Sequence, residues 1–501
     1  MQTVLYLAAT LGGVVGSPVI RDGAAAGGSP PHTESAPQVH GVAFLLERDA
    51  ARALRWLAVR PLEAVVVDGR KATGLLPNAA IKAIETLFPR HETHGLAHRT
   101  RALILVDGDA DGARVAFAAG VSRLPPPLVD PTDAQVREHL AELVRSRSPG
   151  RVTLCLAGGG IEGLLYEVGA LRAIDRFLRD RRLCDLDQFF GISAGSFLAG
   201  LLANGVSPDE MAEGLRFGTP RVPRITRWDL FDPDWAEYAR RGVGLARDLL
   251  GIGTARNPLS GVYRALPPGV FAGDRLRDYF GRVFQAEGMS DSFEDTRRPL
   301  FVGATDQDSS EAVVFGEAGW THVPVHRAVR ASCALAPFYA PEPIEGRQYI
   351  DGAFTRTTNM RVAVKHGATL CVLIDPLVPI NAERPGYVRA RGGLFGAMQG
   401  LKALINGRFD KAAATIAEMY PEVAFYIVRP EGQEMRVLAG SPMKFLYREE
   451  IEAMAFDSVT TLLRSQSLRW RHDFARHGIR FGEPEPAAQR DPWSEGFDLS
   501  P

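Results

Sequence analysis

Two consecutive segments of this chain read the same way: an apolar run, a turn built on glycine, then an apolar helix. Residues 151–157 (RVTLCLA) run into Gly158, Gly159, Gly160, Ile161, Glu162 and Gly163. Leu164, Val168, Leu171, Ile174 and Leu178 then recur at steps of three and four, the spacing of one buried helical face. Phe189 and Phe190 lead into Gly191, Ile192, Ser193, Ala194 and Gly195, followed by an apolar helix to about Ala203. A strand that feeds a helix must find its next strand by a crossover, so consecutive strands lie parallel. The repetition commits the chain to the α/β class, with helices covering a central, mostly parallel sheet.

The same alternation occurs earlier on a smaller scale. Residues 3–9 (TVLYLAA), 40–46 (HGVAFLL), 63–68 (EAVVVD) and 101–107 (RALILVD) are short apolar runs, and Asp49 to Arg60 carries apolar residues at helical spacing. With its strand ending in Asp68, this unit resembles a response-regulator receiver or a similar flavodoxin-like domain. A working receiver holds magnesium with an acidic pair after its first strand, and Ala8, Ala9 and Thr10 stand there instead. The resemblance therefore implies a degenerate regulatory or interaction domain.

A chain of 501 residues exceeds what one core serves, so two or three domains are expected. Pro125 to Pro127, Pro131 and the turn Ser148, Pro149, Gly150 mark the division. The reading is a small α/β domain over 1–124, a linker and amphipathic helix over 125–150, and a core over 151–385. A helix-rich part of the same domain follows over 386–480, then a disordered tail over 481–501.

A formal net charge of −1 argues against a nucleic-acid partner. Cys155, Cys184, Cys333 and Cys371 form no CxxC and read as buried thiols of a reducing compartment. The first twenty residues carry no charge but lack a basic n-region, and Gly12, Gly13, Gly16 and Pro18 interrupt the apolar run. They read as a buried strand, which makes cytoplasmic the expected location, with peripheral contact at a membrane as a second reading.

The first glycine turn has three readings. Gly158, Gly160 and Gly163 fit a dinucleotide fingerprint, with Asp185 or Asp187 where a ribose-binding acid would sit. They also fit a tight connection with no chemistry. The second turn discriminates, because Gly191-Ile192-Ser193-Ala194-Gly195 is a GxSxG elbow that lifts a serine hydroxyl out of the sheet edge. A serine hydrolase needs both turns: one for the nucleophile, and one whose backbone N–H groups meet the charge that develops on a carbonyl oxygen.

Ser193 also needs a base. His322, His326, His366, His472 and His477 follow it, none in a convincing catalytic loop; His366 reads as the end of a helix closed by Gly367, and His472 and His477 as members of a surface helix. Asp351 ends a short strand (QYID) before Gly352.

The segment RAVRASCALAPFYAPEPIEGRQYID, with GGGIEG and GISAG, resembles the bacterial-type patatin-like phospholipase family over about residues 152–375, and more loosely in VAFYIVRPEG and SPMKF near 423–445. The resemblance implies a three-layer patatin-like fold and a Ser-Asp dyad of Ser193 and Asp351. It further implies an oxyanion loop at Gly158, Gly159 and Gly160, and hydrolysis of lipid acyl esters of the phospholipase A or lysophospholipase type, with no cofactor or metal. Glu162 departs from the Arg or Lys of many members, and at a helix start it is expected to face solvent.

The aromatic-rich stretch 222–283 suits a lid or acyl-chain wall. Leu394, Phe395, Met398, Leu401, Ile405 and Phe409 among basic residues suit a helix packed on the core or, second, one lying on a membrane. A dinucleotide-binding protein and an inactive scaffold of the same fold are the alternatives.

Overall fold

The computed structural model describes residues 2–9, 19–20, 42–53, 64–88, 102–122, 124–144, 150–250, 265–355, 359–380, 385–420, 423–431 and 448–483. The first sheet contains β1 (Gln2–Leu7), β2 (Val19–Ile20), β3 (Val42–Glu47), β4 (Ala64–Asp68), β5 (Ala102–Val106) and β6 (Leu128–Val129) in the order β2-β3-β1-β4-β5-β6. Every pairing in it is parallel. β4 and β5 are buried along their whole length, which is why they read as unbroken apolar runs. Alternate residues serve opposite faces. Leu5, Val65, Val67 and Ile104 meet α1 (Pro77–Leu87) and α2 (Ala110–Val121), while Val4, Tyr6, Val66 and Leu105 meet Val136 and Leu140 of α3 (Asp133–Val144). The expected helix from Asp49 lies outside the described residues beyond Ala53.

The second sheet contains β7 (Arg151–Leu156), β8 (Gln188–Ile192), β9 (Leu300–Asp306), β10 (Ala312–Phe315), β11 (Glu342–Ile344), β12 (Arg347–Asp351), β13 (Ala368–Ile374) and β14 (Ala424–Val428). Its order is β11-β12-β9-β8-β7-β13-β14, with β10 paired to β9. The run from β9 to β14 is parallel; β10, β11 and β12 are antiparallel additions.

Its helices are α4 (Gly160–Phe177), α5 (Ala194–Ala203), α6 (Pro208–Phe217), α7 (Arg227–Leu230), α8 (Trp235–Leu249), α9 (Asp274–Phe284), α10 (Val325–Ser332), α11 (Met360–Lys365), α12 (Gly393–Met419), α13 (Arg448–Ser465) and α14 (Ser467–Ala475). α4 is buried nearly all round, since α13 covers the side that the sheet does not. The main core includes residues of α4, α5, α9 and α13, and a second cluster across the sheet includes Met360, Phe409 and Ile416, giving three layers.

The long helix α12 buries Met398, Ile405, Phe409 and Ile416, so its apolar stripe faces protein rather than lipid. One expectation fails: His472 on α14 is buried, in a helix that packs Trp470 and Phe474 into the core. All four cysteines are free thiols, and the parallel pairing of β7 with β13 brings Cys155 and Cys371 to 3.6 Å. The SPMKF segment and residues 484–501, most of the expected tail, lie outside the described residues.

Candidate active site

Ser193 sits between β8 and α5 with φ 53° and ψ −135°, a conformation that a non-glycine residue holds at a cost of about 1–3 kcal/mol. Close packing imposes it. A Cβ on Gly191 would lie 2.3 Å from the Cα of Ser196, and one on Gly195 would lie 2.6 Å from the carbonyl oxygen of Leu156. Both elbow glycines are therefore required by contact. Ser332, which the sequence did not single out, fixes the turn from outside. Its hydroxyl accepts the Ser193 N–H at 2.8 Å and donates to the Gly303 carbonyl at 2.6 Å.

β9 is the ruler that brings the acid to the serine. Ile192, just before Ser193, pairs with Gly303, and Asp351 pairs with the next residue, Ala304. Thr305 donates to the Asp351 carbonyl at 3.0 Å, and the Asp351 N–H reaches the Ala334 carbonyl at 3.1 Å. The carboxylate is buried and accepts the Ala353 N–H at 2.9 Å and the Ser193 hydroxyl. With no cation among these partners, burial pushes the Asp351 carboxyl up to about 6.

The glycine loop after β7 abuts the elbow. A Cβ on Gly158, whose φ is 78°, would lie 2.8 Å from the Cβ of Ser193 and 3.0 Å from the Ala194 nitrogen. The three glycines expected to act together do not: the Gly158 N–H donates at 2.9 Å to Oε1 of Glu167, a fully buried residue one face down α4. Gly158 thus fixes the loop and has no N–H left for an oxyanion. Gly159 and Gly160 open α4, and Ala194 opens α5, where N–H groups have no intrahelical acceptor. Burial and, after it, the charge of Asp375 push the Glu167 carboxyl well up, while the backbone N–H groups it accepts pull the other way.

Glu162 also departs from expectation, being buried rather than solvated. The long helix α12 covers it and supplies Lys402, whose ammonium burial disfavours and the Glu162 carboxylate favours. The same helix closes over the site. Ile405 packs with Ile192 and Ala353, and Arg408 donates to the Phe354 carbonyl at 2.7 Å and the Thr355 carbonyl at 2.5 Å.

From Ser193, Gly160 and Ala194 an apolar cavity runs between the helices. Leu164, Leu165, Phe197, Leu230, Leu276 and Phe338 are among the side chains on its walls. Part of the wall is thus the 222–283 stretch. Those wall side chains are apolar.

The other candidates are engaged elsewhere. His326 pairs with Asp291 at 2.6 Å, His322 with Glu345 at 2.5 Å and His366 with Glu317 at 3.2 Å, while His477 bonds Thr369 at 2.8 Å. His366 caps α11 ahead of Gly367, as its sequence reads. Asp187 accepts the Val152 N–H at 2.7 Å and Asp185 accepts the Arg182 N–H at 3.3 Å. Asp187 thus lies beside the start of β7, at the opposite end from the glycine turn, and the dinucleotide arrangement is not formed.

A serine on a strained strand-to-helix elbow, bonded to a buried carboxylate and opening on an apolar cavity, defines the class of α/β serine esterases. Residues 154–364 match the family described as patatin-like phospholipase and constitute a patatin-like esterase or phospholipase domain. Among solved structures, the chain is similar to VipD from Legionella pneumophila at 14% identity and TM-score 0.31, covering 63% of this chain and 67% of that one. It is similar to the type III effector protein ExoU at 14% identity and TM-score 0.28, covering 66% and 61%. ExoU of Pseudomonas aeruginosa in complex with SpcU matches at 15% identity and TM-score 0.23, covering 64% and 61%. These likenesses are too distant to carry chemistry to this chain.

Proposed function

We propose that the domain beginning at β7 hydrolyses acyl esters of lipids, of the phospholipase A or lysophospholipase type, with Ser193 as nucleophile and Asp351 as its base. The observation that carries this reading is the bond from the Ser193 hydroxyl to a buried carboxylate that has no cation among its partners. A free aspartate near 4 is a poor base for an alcohol, and burial moves Asp351 toward the working pH. As Ser193 attacks the ester carbonyl, its proton passes to Asp351. The Gly159, Gly160 and Ala194 N–H groups are the donors available to the oxyanion, each worth about 3–4 kcal/mol to the transition state. Asp351 returns the proton to the leaving alcohol, then takes one from the water that attacks the acyl group and gives it to the Ser193 oxygen as the acid departs. The apolar cavity beside Ser193 suits an acyl chain and supports a lipid over a polar ester.

Ser193→Ala removes one hydroxyl and should lower turnover of a short-chain nitrophenyl ester by at least about a thousandfold with the fold intact. Undiminished turnover in a folded variant contradicts the assignment.

For the first sheet we infer a receiver-like fold without receiver chemistry. Apart from β2, its strand order is second, first, third, fourth, fifth, the order of flavodoxin-like sheets. At the strand end where a receiver would take phosphate, both oxygens of Asp68 are occupied by Arg70, Tyr6 and Thr73.

A further inference from the structure

We propose that the outward face of α7 and α8, with the segment 266–270 strapped to it, docks on an anionic lipid surface and brings acyl chains to the mouth of the cavity. The proposal rests on the lipid-hydrolase reading above. α8 wears its apolar stripe on the outside: Trp235, Ala239, Val243, Ala246 and Leu250 follow at steps of four, four, three and four, all exposed. Trp235 is 74% exposed, Val243 60% and Leu250 73%. A helix on a globular protein ordinarily turns such a stripe to the core. Here the inward face is polar: buried Glu237 bonds Arg241 at 2.5 Å, the Tyr238 hydroxyl reaches the Val270 carbonyl at 3.0 Å, and Arg241 reaches the Leu266 carbonyl at 2.7 Å. Those last two bonds hold exposed Leu266 and Val270 alongside α8, and exposed Trp228 stands on α7.

The charges on this face are sorted by sign. Asp229 is bound to Thr226 and Arg282, Asp232 to the Gly273 and Arg275 N–H groups, and Asp234 to the Glu237 N–H. Arg224, Arg227 and Arg247 are exposed, with the Arg227 guanidinium 4.8 Å from the ring of Trp228. Apolar residues rimmed by exposed cations, with Asp229, Asp232 and Asp234 buried or half-buried and bonded within the fold, complement anionic headgroups over an apolar interior. A twofold contact between copies would instead set the same arginines against one another.

The face is also continuous with the cavity. Ile225 and Leu230 line it from within, while Trp228 between them is outside. Phe271, next to Val270, packs at 5.8 Å on Tyr339 of the cavity wall.

The test uses the full chain carrying Ser193→Ala, so that lipid is not consumed, in flotation with vesicles of phosphatidylcholine with or without phosphatidylglycerol. Binding to the phosphatidylglycerol vesicles is expected, weakening as salt rises. Trp228→Ala and Trp235→Ala should each weaken it about tenfold. With Ser193 restored, the same tryptophan variants should lose turnover of vesicle lipid and keep turnover of a soluble nitrophenyl ester. Independently of any surface variant, lipids with brominated acyl chains should quench the protein's tryptophan fluorescence. Failure to bind, binding unchanged in the tryptophan variants, or self-association without lipid that those variants abolish would overturn the proposal; the last would assign the face to a second copy. Because flotation is read without turnover, its failure is distinct from failure of the hydrolase reading, which Ser193→Ala tests.

Discussion

Asp68 and Asp351 each end a strand of their sheet, and each is buried, yet they are opposites chemically. Asp68 accepts from Tyr6 at 3.0 Å, from Thr73 at 3.0 Å, and from Arg70 through its N–H, Nε and Nη2, the last at 2.7 Å. Its charge is matched and its lone pairs are spent, and the Tyr6 phenol beside it is pushed up by burial and by that charge. Asp351 accepts from one backbone N–H and one serine hydroxyl, and its carboxyl is pushed up to about 6. The comparison teaches that burial alone does not make a carboxylate reactive. A buried acid given a guanidinium is a structural anchor, whereas one given a hydroxyl and a backbone N–H but no cation is a base held ready.

The largest effect should come from removing the second kind of acid. Asp351→Asn keeps an acceptor for the Ala353 N–H but offers Ser193 no base, so kcat/KM for a soluble ester should fall about 10³- to 10⁴-fold. The variant should also be more stable. A carboxyl raised from 3.8 to about 6 contributes most to stability below 3.8, and that contribution is lost as pH rises through about 6, a difference of about 3 kcal/mol. Denaturant unfolding at neutral pH should therefore find the inactive variant the sturdier one. Equal or lower stability would mean that Asp351 is better compensated than its partners indicate.

Glu167 sharpens the comparison because it is a third buried acid, engaged with backbone N–H groups, that of Gly158 among them. Glu167→Leu strands the Gly158 N–H, costing about 1–3 kcal/mol, and frees the loop, lowering kcat by about ten- to a hundredfold. Glu167→Gln keeps the acceptor and should retain activity. Since the Glu167 carboxyl is raised, its contribution to stability is full below its ordinary 4.5 and is lost as pH rises through the folded value. The glutamine variant should accordingly outlast the native protein at alkaline pH, as thermal melts across pH would read.

The smallest effect on turnover belongs to Asp68. Asp68→Ala takes the close carboxylate from buried Arg70 and leaves it only Asp133 at 3.7 Å as an ion partner, which should destabilise the first sheet by about 1–3 kcal/mol while ester turnover stays within about twofold. Acetyl phosphate with magnesium should add no mass at Asp68 of the native protein. Stable phosphorylation there would erase the contrast between the two acids.

The framework of the second sheet was legible because its signals are local. The strand–glycine–helix turns at Gly158 and Gly191 and the strand ending at Asp351 each lie within a few residues. What depended on long-range packing was not. Gly158 looked like an oxyanion donor until Glu167, nine residues on, was found to occupy its N–H. Glu162 looked solvated because the covering helix α12 lies over two hundred residues away in sequence. Ser332, 139 residues from the N–H it holds, had no signal apart from its place in the family-like segment RASCALAP. The outward stripe on α8 reads in sequence like any amphipathic helix, and only burial tells which face is turned to water.

The central claim, that a buried aspartate rather than a histidine activates Ser193, is tested most directly by the rate of fluorophosphonate labelling across pH. The native protein should label at Ser193 with a rate that rises through about pH 6, since the Asp351 carboxylate is the active form. Asp351→Asn should abolish labelling, while His326→Asn and His366→Asn should leave both rate and profile unchanged. Persistent labelling in Asp351→Asn, or its loss in either histidine variant, would contradict the account.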